Sequence, residues 1–174
     1  MFHNDILRRL RFALRINDDA AIQIFKLAGY EMEKPYLHSL MKKEDEDGYA
    51  PCRDKILCYF LDGLIVKNRG LKDGKLPTPL EKGERLSNND VLRKIKIAMD
   101  YQHDDILNVL NKARFPISKN ELSALFRKPD HRNYRPCKDQ LLRNLLQGMV
   151  KIHRPDAEAT SVEAASPWGQ TKKR

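Results

Sequence analysis

The pattern richest in reactive side chains is a hexad, Tyr-x-Pro-Cys-x-Asp, at Tyr49–Asp54 and again at Tyr134–Asp139. It sets a thiol beside a cation in both places, Cys52 next to Arg53 and Cys137 next to Lys138. A cysteine in the first turn of a helix with a positive neighbour ionises more easily than usual and becomes a nucleophile. Against that reading, no histidine stands at a fixed short spacing to act as base, and the same thiol is duplicated. The structural reading accounts for more of the pattern. Pro51 and Pro136 open a helix, Asp54 and Asp139 face its positive end, Tyr49 and Tyr134 pack on a neighbouring helix, and Cys52 and Cys137 are small buried residues. Cys58 belongs to no shared site, because Arg143 stands at the matching position.

Other reactive constellations are missing. There is no Gly-x-Gly-x-x-Gly, no phosphate loop ending in Lys-Ser/Thr, no His-Glu-x-x-His and no Gly-x-Ser-x-Gly. His3, His38, His103, His131 and His153 are scattered without metal-ligand spacing. The Asp18-Asp19 and Asp104-Asp105 pairs read as helix caps before they read as a cation site. No catalytic residue, metal site or cofactor is expected, and the chain reads as a non-enzyme.

Charge is the remaining signal. The net charge is +9. Residues 86–155 hold 14 basic and 7 acidic side chains, whereas residues 1–69 hold 12 and 11. Between residues 114 and 138 lie Arg114, Lys119, Arg127, Lys128, Arg132, Arg135 and Lys138 against only Glu121 and Asp130, with Phe115, Phe126 and Tyr134 interleaved. His131 adds a group able to meet a phosphate. A solvated basic face would explain any one such run. Its confinement to one half favours a docking surface for a polyanion, DNA or RNA. A protein–protein adaptor with an acidic partner is the competing expectation, and a homodimer is left open. Ala28-Gly29 between two helical segments gives a loose helix-turn-helix likeness, with Leu37 and Leu40 about two residues later than that motif places them.

These residues are carried by a repeat. Residues 4–69 align on residues 89–154 without a gap at an offset of 85, and 20 of the 66 pairs are identical. Each copy reads as four short helices. The first spans about Asp5–Ile16, capped by Asn4 or Asn89, with Ile6, Leu7 and Leu10 or Val91, Leu92 and Ile95 inward. The second starts at the aspartate pairs and buries Ile22, Phe25 and Leu27, or Leu107, Val109 and Leu110. The third opens at the Ser118–Glu121 capping box, whose counterpart carries Pro35 instead. Phe126 falls on its core face. The fourth begins at Pro51 or Pro136, buries Leu57 and Leu61 or Leu142 and Leu146, and stops at Gly63 or Gly148 as a left-handed cap. The stretches 64–67 and 149–152 that follow are compatible with a two-stranded β-ribbon across the repeats.

A chain of 174 residues with 41% hydrophobic and 33% charged side chains suits one or two small helical units. The expected layout is repeat 1 over 1–69, a Gly/Pro-rich linker over 70–86, repeat 2 over 87–155 and a disordered tail over 156–174 that carries Trp168. The fold expected is all-α, two tandem four-helix repeats packed about a pseudo-two-fold axis. No apolar run approaches the ~20 residues of a membrane span, and the N-terminus lacks the pattern of a secretory signal. Three cysteines without Cys-x-x-Cys spacing fit a reducing cytoplasm.

Several of these segments together resemble a known family. They are the Asn-Asp-x-Leu-Arg starts at Asn4–Arg8 and Asn89–Arg93, Ser118–Lys128, Arg127–His131, the hexad at Tyr134–Asp139 and the Gly148-Met149-Val150 end. The chain resembles the YehS-like family of small bacterial cytoplasmic proteins over residues 1–154. The resemblance implies a bacterial, soluble, two-repeat protein and assigns no site residues. The acidic loop Glu44–Asp47 and the tail look particular to this chain.

Overall fold

A computed structural model describes residues 1–156. The tail beyond them, with Trp168, lies outside the described residues. The eight helices are α1 (His3–Ala13), α2 (Asp18–Leu27), α3 (Lys34–Met41) and α4 (Asp54–Arg69), then α5 (Asn88–Met99), α6 (His103–Lys112), α7 (Lys119–Leu125) and α8 (Asp139–His153). Two four-helix repeats are thus present, as the duplication implies.

α2, α5 and α7 start where a short polar side chain meets a free backbone N–H group, while α1, α3, α4 and α8 start without a side-chain cap bond. Asn17 caps α2 by accepting from the Ala20 N–H. Reciprocal capping boxes open α5 (Ser87 with Asp90) and α7 (Ser118 with Glu121), and at α6 the Asp105 carboxylate accepts the Gln102 N–H at 2.7 Å. Pro35 sits in the first turn of α3, where a missing N–H is harmless.

Four sequence expectations are corrected. Asn4 and Asn89 are not caps. They lie within α1 and α5, almost wholly buried. The fourth helix begins at Asp54 or Asp139, three residues after the proline, because residues 50–53 and 135–138 run as an extended strap. Gly63 and Gly148 do not end it. The helices continue through both, and the segments expected as a ribbon are their last turns, with no strand among the described residues.

The reason is a close crossing. A Cβ at Gly63 would lie 1.9 Å from the Ile24 carbonyl oxygen, and one at Gly148 would lie 2.1 Å from that of Val109. Only glycine lets α4 press on α2, and α8 on α6, at that distance. The fourth correction concerns α2 and α6. Their buried faces are Ala21, Ile24 and Phe25, and Ile106, Val109 and Leu110, while Ile22, Leu27 and Leu107 are half-covered.

The repeats are interlocked rather than strung together. α1 packs chiefly on α8 and α4 packs on α5 as extensively as on α2, so crossings between repeats rival those within them. One apolar core runs through both halves, from Leu7 and Phe60 to Leu92 and Leu146. The connecting segment contributes Leu86 to that core and lays Leu76 against Gly29. Its Asp73-Gly74 turn, with both φ values positive, closes a single bridge between Lys72 and Lys75.

Candidate nucleic-acid interface

Asn4 and Asn89 clamp the hexads from within the core, and of each hexad only the cysteine is fully buried. Asn89 donates through Nδ2 to the Leu125 and Arg135 carbonyls, both at 2.9 Å, and accepts the Cys137 N–H at 2.8 Å. Asn4 makes the same bonds to Leu40, Ala50 and Cys52 at 2.9 Å, and also accepts from the Tyr49 hydroxyl at 3.1 Å. Each asparagine therefore ties the end of the third helix to the strap before the fourth. The Arg135 N–H adds a bond to the Ala124 carbonyl at 3.1 Å.

Cys52 and Cys137 sit beneath this clamp. Burial pushes each thiol up to about 12, so neither is a thiolate at neutral pH. Burial also raises Cys58, to about 11, where its Sγ lies 3.4 Å from Asp62. Buried and raised in this way, the thiols lack the exposure and the low pKa that the reactive-cysteine reading requires.

In repeat 2 the clamp fixes the backbone from which cations project. Arg127 follows α7, Arg135 lies on the strap and Lys138 is the residue before α8. The three line one open cleft of about 600 Å³. Phe115, Ile117 and Leu141 supply apolar walls, and Asn120, Asn133 and Gln140 supply amides. Glu121 is its one carboxylate, held ionised by the Ser118 backbone N–H that it caps.

The other expected site residues are placed less uniformly. Lys128 and Arg132 are exposed on the loop that joins Arg127 to the strap. His131 is exposed there too, and its Nδ1 accepts from the Asn133 N–H at 3.0 Å. Arg114 is exposed in the turn after α6, with φ at 59°. Lys119 lies 3.6 Å from Asp104 and is already paired. Arg114, Arg127, Lys128, Arg132, Arg135 and Lys138 form no ion pair among the described residues, and the Arg127 Nε is buried without a hydrogen-bond partner. Phe126 is half-buried rather than core, stacked on His103 with ring centroids 5.1 Å apart.

Repeat 1 closes the equivalent place. Lys42, the counterpart of Arg127, bends back to the Asp47 carbonyl at 2.7 Å over Gly48. A Cβ at Gly48 would meet the Lys42 Nζ at 2.7 Å, and repeat 2 carries Asn133 there. Arg127 makes no such fold-back and lines the cleft instead. Arg135 replaces Ala50, and Glu121 replaces Tyr36. Tyr36 is half-buried near Tyr30 and Arg53, the counterparts of Phe115 and Lys138. Sequence reasoning named the cations but missed Ile117, Asn120, Asn133 and Gln140. The differences between the aligned copies at 36/121 and 48/133 carried the signal.

Among the described residues no group of three or more His, Cys, Asp or Glu is placed to hold a metal ion, and no helix is long and apolar enough to cross a membrane. The family model described as a protein of unknown function, DUF1456, matches residues 3–70 and 88–154. The chain is 42% identical over 150 residues to uncharacterized protein YehS of Escherichia coli (strain K12), an alignment spanning 86% of this chain and 95% of that protein. No solved structure matches. Two matched segments, each spanning one four-helix repeat, make the chain a member of the DUF1456 family with its domain in tandem.

Proposed function

We propose that the protein is a non-enzymatic nucleic-acid-binding protein that acts in the cytoplasm and docks through the basic cleft of repeat 2. The observation that carries this reading is the convergence of Arg127, Arg135 and Lys138, from three separate chain segments, on one cleft where no described carboxylate pairs with them. Cations gathered in this way without a carboxylate partner raise the local positive potential, and neutralising a line of phosphates releases that backbone's counterions. Lys128 and Arg132 extend the charge along the loop, and Arg114 flanks it. Lys119 contributes least, since binding would have to break its contact with Asp104. The three free thiols suit a reducing compartment.

The experiment is a titration of a labelled oligonucleotide at rising salt, with Arg127→Glu/Arg135→Glu as the matched variant. Binding that weakens steeply with salt in the native protein, and much less steeply in the variant, supports the reading. Equal behaviour of the two proteins removes it.

A further inference from the structure

We infer that the repeat 2 cleft is a slot for one unstacked base of a single-stranded nucleic acid, a step that rests on the nucleic-acid reading above. The shape argument comes from the other repeat. Where Glu121 stands, repeat 1 has Tyr36, half-buried near Tyr30 and Arg53. Tyr30 in turn lies against Phe25 and Tyr59, with centroids 5.8 and 4.9 Å apart. The first copy of the fold therefore fills this place with its own flat ring. The second copy keeps the aromatic wall as Phe115 and the cation as Lys138, and lacks the ring. An aromatic ring from a ligand fits the vacated position.

The charge argument selects which ligand. Arg127, Arg135 and Lys138 border the cleft, and exposed Lys128 and Arg132 continue away from it along the loop. Such a line of cations exceeds what one phosphate needs and matches a backbone with a charge at every nucleotide. The amides of Asn120, Asn133 and Gln140 and the free lone pairs of Glu121 can meet a base edge. A base paired in a duplex cannot enter the cleft, because its faces are covered by its neighbours.

The test uses the full chain and fluorescence anisotropy at one fixed salt concentration. The probes are a labelled mixed-sequence single strand, a strand of equal length with abasic positions, and the corresponding duplex. Stacking of one base on an aromatic wall is worth about 1–3 kcal/mol, so the intact strand binds roughly 5- to 150-fold tighter than the abasic strand. Glu121→Tyr, which restores the repeat 1 ring, erases that difference. Glu121→Gln, which keeps the space and the cap but offers an amide in place of a carboxylate at the base edge, retains a difference that Glu121→Tyr abolishes. Phe115→Leu, an apolar replacement without a π face, reduces it. Equal binding of intact and abasic strands overturns the base slot and leaves the basic-face reading standing. Failure of all three nucleic acids to bind overturns both. Displacement of the strand by an acidic tyrosine-containing peptide at matched charge also overturns the slot, in favour of a protein ligand.

Discussion

Gly63, Gly148, Asn4 and Asn89 set the closest contacts between the helices and the straps of this fold. Each glycine admits another helix's carbonyl within 1.9–2.1 Å of where a methyl group would stand. Gly63→Ala or Gly148→Ala must push two helices apart, an overpacking loss of about 3 kcal/mol or more. Urea denaturation reads this directly, and an unchanged midpoint would contradict it. The repeated identities singled these residues out, yet their roles were misread. An Asn ahead of an apolar run and a Gly after one are also the ordinary marks of helix ends. What distinguishes them is a partner dozens of residues away, such as the Leu40 carbonyl for Asn4. The hexad was legible for the same reason in reverse. Its buried thiols follow from a local pattern of Pro, Cys and Asp.

The helices themselves were largely legible, because caps and apolar periodicity are local. The straps at 50–53 and 135–138 were not, since prolines that open a helix and prolines that precede one look alike in sequence. The turn after α6 shows how one element was altered between copies. Repeat 1 has Gly29 there with φ of 89°, and repeat 2 has Arg114 with φ of 59°. A residue with a side chain pays about 1 kcal/mol to hold this left-handed conformation. Arg114→Gly should therefore raise stability by about that amount in thermal or chemical denaturation, while weakening oligonucleotide binding by the equivalent of one flanking contact. A loss of stability on this substitution would show that the arginine is held by packing instead. The loop between the third and fourth helices diverged further. Its charge was visible in the sequence, but the Gly48-to-Asn133 change matters only once Lys42 is seen folded over Gly48.

Across the whole molecule, the two copies hold each other. Asp54 accepts from the Leu86 N–H at 2.8 Å, from Arg85 at 3.1 Å and from His3 at 2.8 Å. Asp139 does the corresponding work, accepting from the Met1 amine at 2.6 Å and from Asn88 at 2.7 Å. Each aspartate thus ties its own repeat to the start of the other. Lys94 reaches across to buried Asp62 at 2.6 Å. Burial alone would push the Asp54 carboxyl up, but the bonds from Leu86, Arg85 and His3 outweigh it and hold the carboxyl below its ordinary value. A depressed folded pKa contributes stability above the unfolded value of about 3.9 and loses it as pH falls through the folded one. Asp54→Asn should therefore be less stable than the native chain at neutral pH. The gap should close as both are taken below about pH 4. A gap that persists undiminished in acid would mean that the carboxylate's charge is not what joins the repeats.

The duplicated fold and the lopsided charge were readable from the chain, whereas the cleft needed both copies superimposed in space. The decisive observation is the salt dependence of oligonucleotide affinity, compared between the native chain and Arg127→Glu/Arg135→Glu. With five phosphates neutralised on a single strand, the log–log slope should be roughly −3.5. Loss of the two arginine contacts should bring it to about −2. A slope near zero in the native protein, or the same slope in both proteins, would contradict the assignment of the repeat 2 cleft as a nucleic-acid interface.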